Sequence, residues 1–143
     1  MNVEHILSDK GREVVTIAPS LTMADAARML SDKRIGAAIV SDPGNPVLGI
    51  LSERDIVRAI AASGTAALDE PVSRHMTGKV VTCTSHTAIN DLMETITRGK
   101  SRHVPVVENG RLIGIVSIGD IVKFRLAEIE TESQALREYI ATA

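Results

Sequence analysis

The spacing of hydrophobic positions changes twice along the chain, in the same order each time. Val14-Val15-Thr16-Ile17 is a short apolar run of strand character, and after it Met23, Ala26, Ala27 and Leu30 fall at i, i+3, i+4 and i+7, which predicts a helix with one buried face. Two more short runs, Ala37 to Val40 and Val47 to Leu51, are joined by Asp42-Pro43-Gly44-Asn45-Pro46 and read as a hairpin; a second helix starts after Ser52. The series then returns. Val80-Val81-Thr82-Cys83 precedes a helical stripe at Ile89, Leu92, Met93 and Ile96. The runs Val104 to Val107 and Leu112 to Val116 are joined through Asn109-Gly110, and a helix starts after Ser117. Gly49 to Arg58 and Gly114 to Lys123 are identical at six of ten positions, so the repetition lies in the residues as well as in the period. The leaders also correspond, with Val3, Ile6, Leu7 and Ser8 placed like Val72, His75, Met76 and Thr77.

The expected fold class is α/β (α+β). Two β-α-β-β-α units, residues 1–62 and 72–124, are joined by a small-residue linker over 63–71 and followed by a C-terminal helix over 125–143. A unit of about 60 residues buries too little surface to be comfortable alone, so the two are expected to pack sheet against sheet about a pseudo-twofold axis. Ligand clefts then fall at the interface between repeats. In the tail, Val122, Leu126, Ile129, Ser133, Leu136 and Ile140 alternate four and three residues apart, while Glu128, Glu130, Glu132, Arg137 and Glu138 lie largely outside that seam. About two heptads are too few for an independent coiled coil, so the helix is expected to dock, on its own domain or in a homodimer.

Composition narrows the function classes. With 143 residues, 44% apolar and 24% charged, the chain has the make-up of a globular domain, and no apolar run approaches the roughly 20 residues that span a bilayer. The first twenty residues mix Glu4, Asp9, Lys10, Arg12 and Glu13 among short apolar pairs, unlike a secretory leader, and the single Cys83 fits a reducing compartment, so a cytoplasmic location is expected. A net charge of −2 offers no field for a phosphate backbone, and the only aromatics, Phe124 and Tyr139, cannot form a base-stacking platform; no nucleic-acid partner is expected. Cys83 and His86 are three residues apart, but Cys83 takes the place of Ile17 in the repeat and reads as a buried strand residue. The four histidines show no paired ligand spacing, so no metal is expected.

Candidate chemistry sits in Gly49-x-x-Ser52-x-x-Asp55 and Gly114-x-x-Ser117-x-x-Asp120. In each a strand ends, a hydroxyl residue caps a helix and a carboxylate lies in its first turn. Two readings share that geometry. One is a capping box, with the acid complementing the helix dipole. The other is a nucleotide site, in which helix N–H groups and the Ser hydroxyl face a phosphate and the Asp accepts ribose hydroxyls. Arg54 has Gly119 as its counterpart and Glu53 has Ile118, while Arg102-His103 are set against Ile35-Gly36. The basic groups, supplied once from each side, are expected to converge on a shared phosphate region.

With the Gly49-Ile-Leu-Ser-Glu-Arg-Asp55 and Gly114-Ile-Val-Ser-Ile-Gly-Asp120 motifs, the Arg102-His103-Val104-Pro105-Val106-Val107 strand and the duplicated element order, the chain resembles a tandem pair of cystathionine β-synthase (CBS) domains, a Bateman module, from Val3 to about Lys123. It looks most like the small stand-alone bacterial CBS-pair proteins. Members of that family bind AMP, ADP, ATP, NAD or S-adenosylmethionine, usually as sensors. The resemblance implies a non-catalytic adenine-nucleotide sensor with AMP favoured, acting on a protein partner whose identity is unknown; the alternative is a constitutive interaction or dimerisation module with degenerate pockets. Carried over by position, it makes Asp55 and Asp120 ribose ligands and Ser52 and Ser117 phosphate contacts, beside the phosphate region to which the unequal basic residues already assign Arg54, Arg102 and His103. It sets Thr16, Ile17, Ala18, Thr82, Cys83 and Thr84 along one side of the adenine and Ile35, Gly36, Ala37, Ala38, Val104 and Pro105 along the other.

Overall fold

The computed structural model describes residues 1–99 and 101–142; Lys100, and Ala143 at the end of the expected tail, lie outside the described residues. A leading helix, α1 (Val3–Lys10), comes first. In the first repeat, β1 (Thr16–Ile17) runs parallel to β2 (Ala37–Asp42), which pairs antiparallel with β3 (Asn45–Ser52) in a three-stranded sheet. α2 (Met23–Lys33) and α3 (Glu53–Ser63) cover it, burying Met23, Ala26, Leu30, Ala38, Val40, Leu51 and Ala59 in one core. A short helix, α4 (Val72–His75), leads into the second repeat. There α5 (Ile89–Gly99) precedes the hairpin of β4 (His103–Glu108) and β5 (Arg111–Ser117), and α6 (Ile118–Thr142) follows. A third cluster, Ala37, Ile39 and Ile50 packed with Val14, Val47, Val80, Leu112 and Ile115, lies where the two sheets meet, as the pseudo-twofold arrangement requires.

Four features depart from the linear reading. Residues 63–71 are not a loose linker: Gly64–Asp69 form a 3₁₀ helix that inserts Ala67 fully into the first core. The leaders are exchanged between repeats. α1 buries Val3, Ile6 and Leu7 among the second repeat's residues, whereas α4 puts Val72, with Met76 packed beside it, into the first. Each exchanged leader lies on a motif glycine. A Cβ on Gly49 would stand 2.6 Å from the Thr77 carbonyl oxygen, and one on Gly114 would stand 2.7 Å from Leu7 Cδ2. The first glycine of each motif therefore serves close packing of the leader.

The strand expected over residues 80–83 shrinks to a single parallel bridge between Cys83 and Val106. Strand pairing supplies the reason. Ile17 pairs with Val40 as Cys83 does with Val106, so Ile39 and Pro105 are equivalent. In the first repeat Ile39 N–H donates to Val15 O at 3.1 Å, and Pro105 has no N–H to make the matching bond. Finally, the tail is not a separate element. α6 runs unbroken for 25 residues from the second motif; Ile121 is buried and Phe124 packs on the second core, and from Ile129 onward every described residue is exposed. Among the described residues no helix is long and apolar enough to cross a membrane.

Candidate functional site

Both motifs form the same cap. The Ser52 N–H donates to Asp55 Oδ2 at 2.9 Å and the Asp55 N–H to Ser52 Oγ at 3.3 Å. In the second copy the Ser117 N–H donates to Asp120 Oδ2 at 2.9 Å and the Asp120 N–H to Ser117 Oγ at 3.1 Å. The capping reading of these residues is correct, and it leaves the other carboxylate oxygen for further work. Asp55 is 7% exposed, unusual for an acid, and its Oδ1 keeps only long contacts: the Thr77 hydroxyl donates at 3.4 Å and Arg58 Nη1 lies 4.0 Å away.

Asp55 opens into a cavity of about 340 Å³ between the repeats. From the first repeat come Gly36, Ser52, Glu53, Arg54 and Arg58; from the second come Ser101, Arg102 and His103, with Thr77, Lys79, Val80 and Val81 from its leading segment. Among the described residues four cations, Arg54, Arg58, Lys79 and Arg102, thus face two carboxylates, Glu53 and Asp55. The expected convergence of basic groups from both repeats is present, with Arg58 and Lys79 added to it. Helical spacing could have found Arg58, one turn beyond Asp55. Lys79 and Thr77 lie in a segment whose sequence shows no clear period. Burial holds the His103 imidazole below its usual range against the pull of Asp120, so it is neutral at pH 7.

The equivalence between repeats is shifted by one residue from the expected one. Ala37 pairs with Ser52 and His103 with Ser117, and Gly36 O and Arg102 O each accept the first N–H of the following helix. Arg102 therefore stands opposite Gly36 and His103 opposite Ala37. A Cβ on Gly36 would make only ordinary contact with the His103 ring at 3.8 Å and Glu53 Oε1 at 3.6 Å.

The second copy differs at its carboxylate. Lys10 Nζ lies 2.7 Å from Asp120 Oδ2 and also donates to Ile115 O at 2.8 Å. Burial raises the Asp120 carboxyl, but the Lys10 hydrogen bond, the Ser117 N–H and the Lys10 charge outweigh it and hold the group below the usual carboxylate range. Asp120 and Ser117 do not line the 340 Å³ cavity.

The profile of the CBS domain matches residues 3–62 and again 72–127. The chain belongs to the CBS-domain family. A solved CBS-domain containing protein, ATU1752 of Agrobacterium tumefaciens, is 49% identical and superposes with a TM-score of 0.84 over 87% of this chain and 92% of that one. The CBS domain protein PAE2072 of Pyrobaculum aerophilum, solved in complex with AMP, is 30% identical with a TM-score of 0.74 over 84% of this chain and 89% of that one. The mitochondrial CBS domain-containing protein CBSX3 of Arabidopsis thaliana is 35% identical over 83% of this chain, which spans 60% of its length. The chain spans two thirds or less of the first curated relatives it matches.

Of the twelve residues expected in this CBS pair to line the adenine, only Gly36 is among those that line the Asp55 cavity. Ile17, Ala38, Cys83 and Val104 belong to the two repeat cores, Ala37 to the inter-sheet cluster, and Pro105 is buried. Ile35 packs against the first core, and Thr16, Ala18, Thr82 and Thr84 are exposed away from that cavity. Its apolar wall is supplied instead by Ile50, Val80 and Val81. Cys83 is buried in the second core, and burial pushes its thiol up to about 11, too high for a nucleophile at neutral pH.

Proposed function

We propose that this CBS pair is a non-catalytic sensor of adenine nucleotides, with AMP the favoured ligand and NAD or ATP as others of the same chemistry, acting in the cytoplasm on a protein partner. One observation carries the reading: a buried carboxylate and four cations, drawn from both repeats, line one cavity without an aromatic residue. Asp55 Oδ1 suits a ribose diol. Among the described residues the lining cations outnumber the carboxylates, which suits the phosphomonoester of AMP, at about −1.5 to −2. The AMP complex of the 30% identical relative adds support from the same fold. Ligand charge drawn to both Arg54 and Arg102 pulls the repeats together, which is how occupancy would reach a partner surface.

Arg54→Ala and Arg102→Ala are each expected to weaken AMP about tenfold or more, as loss of a charge-assisted bond does, while leaving adenosine within about twofold. Calorimetry with both ligands reads the contrast. Equal losses for AMP and adenosine would show that the two arginines act through structure alone.

A homodimer belongs to the same proposal. Leu126, Ile129, Leu136 and Ile140 are each about 60% exposed on α6 and need a cover. The flanking charges select a parallel second copy. With Val122, Ile129 and Leu136 at d and Leu126, Ser133 and Ile140 at a, a parallel pair sets Arg125 against Glu130 and Glu132 against Arg137 of the second copy. An antiparallel pair centred on Glu130 would oppose Glu130 to itself and Lys123 to Arg137.

A further inference from the structure

The two clefts differ in one leader residue, and that difference has a consequence for ligand count. Leu7 lies over Gly114 as Met76 lies over Gly49, so Lys10 and Lys79 are equivalent positions three residues on. The chain reaches them differently. α4 stops at His75, and Thr77 leaves the helix to bridge Ile50: the Thr77 N–H donates to Ile50 O at 2.9 Å and the Ile50 N–H to Thr77 O at 3.0 Å. Lys79 is then carried onward to the cavity wall, and Asp55 Oδ1 keeps only its long contacts. α1 instead stays helical through Lys10 and turns away at Gly11, φ 99°. Ile115, the counterpart of Ile50, receives the Lys10 ammonium on its carbonyl in place of a backbone N–H, and the same ammonium pairs with Asp120.

The geometry points to Lys10 as the residue that decides which cleft takes a nucleotide: it is a tethered cation seated on the second ribose-anchoring carboxylate, so the chain binds one adenine nucleotide, at Asp55, and the Asp120 cleft opens only when Lys10 is displaced. This rests on the nucleotide reading above. Lys10 sits on Asp120 Oδ2, the oxygen that also accepts the Ser117 N–H, so a ribose hydroxyl reaching for Oδ1 meets a carboxylate whose charge is already neutralised by a group held in place by the fold. Displacement also strips the Ile115 carbonyl of its donor. Lys10 sits at the end of a helix whose other side chains fill the second core, so a ligand strong enough to expel it would act directly on a structural element shared between repeats.

The test is AMP stoichiometry on nucleotide-free full-length protein. Lys10→Met keeps the apolar stem and removes the charge, and because Lys10 is 31% exposed the fold is not at stake. Wild type is expected to bind one AMP per chain, Lys10→Met two, and Lys10→Met with Asp120→Ala one again. Lys10→Gln serves as a second variant with the same expected result. Ligand-free carbon NMR titration of the Asp120 carboxyl adds an independent readout, its pKa rising in Lys10→Met. Wild type binding two AMP per chain, or Lys10→Met remaining at one, overturns the role of Lys10 alone. Wild type and Lys10→Met that both bind no AMP remove the nucleotide reading and this assignment with it.

Discussion

Asp55→Ala is expected to weaken AMP binding about 10- to 150-fold, the loss of ~1.5–3 kcal/mol that accompanies removal of a charge-assisted hydrogen bond from a buried site. The carboxylate is nearly inaccessible, its Oδ2 is spent on the Ser52 N–H, and its Oδ1 is the acceptor that the cavity leaves short of close partners. Adenosine should lose as much as AMP, because the diol is common to both. That shared loss separates Asp55 from Arg54 and Arg102, whose effects follow the phosphate. Asp120→Ala should leave affinity at the Asp55 cavity within about twofold, since the second carboxylate does not line it. Asp55→Asn, which keeps much of the cap, controls for fraying of α3; a melting curve on each variant reads that contribution, about 1 kcal/mol for a helix cap. If Asp55→Ala binds AMP and adenosine as wild type does, the residue is a helix cap and nothing more.

For the homodimer proposed above, removal of the outer part of α6 is expected to raise the dissociation constant by about a hundredfold or more, since the deleted segment carries most of the uncovered apolar seam. The cut belongs after Glu128, not nearer the body, because Phe124 packs on the second core and Arg125 pairs with Glu128 and bonds Asn90. This deletes Ile129, Leu136 and Ile140 and leaves both cores intact. Ile129→Asp with Leu136→Asp should do the same in the full-length chain by placing charge at two successive d positions. Sedimentation across a concentration series measures the change, and an unaltered melting transition at high dilution shows that the fold survives. A cut protein that stays dimeric with unchanged affinity would assign self-association to the body, where Val57, Val81 and Met93 are also exposed.

What was legible in the sequence was what local period and repetition encode. The stripe at Met23, Ala26 and Leu30, the two hairpins and the start of helices after Ser52 and Ser117 all appear where the spacing put them. Duplication singled out Ser52 and Asp55, and the uneven arginines foretold a cavity fed from both repeats. What escaped depends on partners distant in the chain. Nothing in Val3, Ile6 and Leu7 says that they fill the second core and not the first, because a helix stripe records that it is buried and not against what. Pro105 cancels a strand bond to a residue far earlier in the chain, so the run at 80–83 looked as good as the run at 14–17. The small residues of 63–71 read as a linker, yet Ala67 is a core residue whose size suits close packing of the 3₁₀ helix. No local period or motif marks Lys79 or Lys10, and only the unequal lengths of α4 and α1 send one to a cavity and the other to Asp120.

The claim that this CBS pair senses an adenine nucleotide is tested most directly by calorimetric titration of AMP into refolded, nucleotide-free full-length protein, with GMP as the comparison. The expected result is saturable binding of AMP that is about 10- to 150-fold weaker in Asp55→Ala and at least about tenfold weaker for GMP. Absence of saturable heat with AMP, ADP, ATP, NAD and S-adenosylmethionine alike would contradict it and leave the cavity as a feature of the repeat interface.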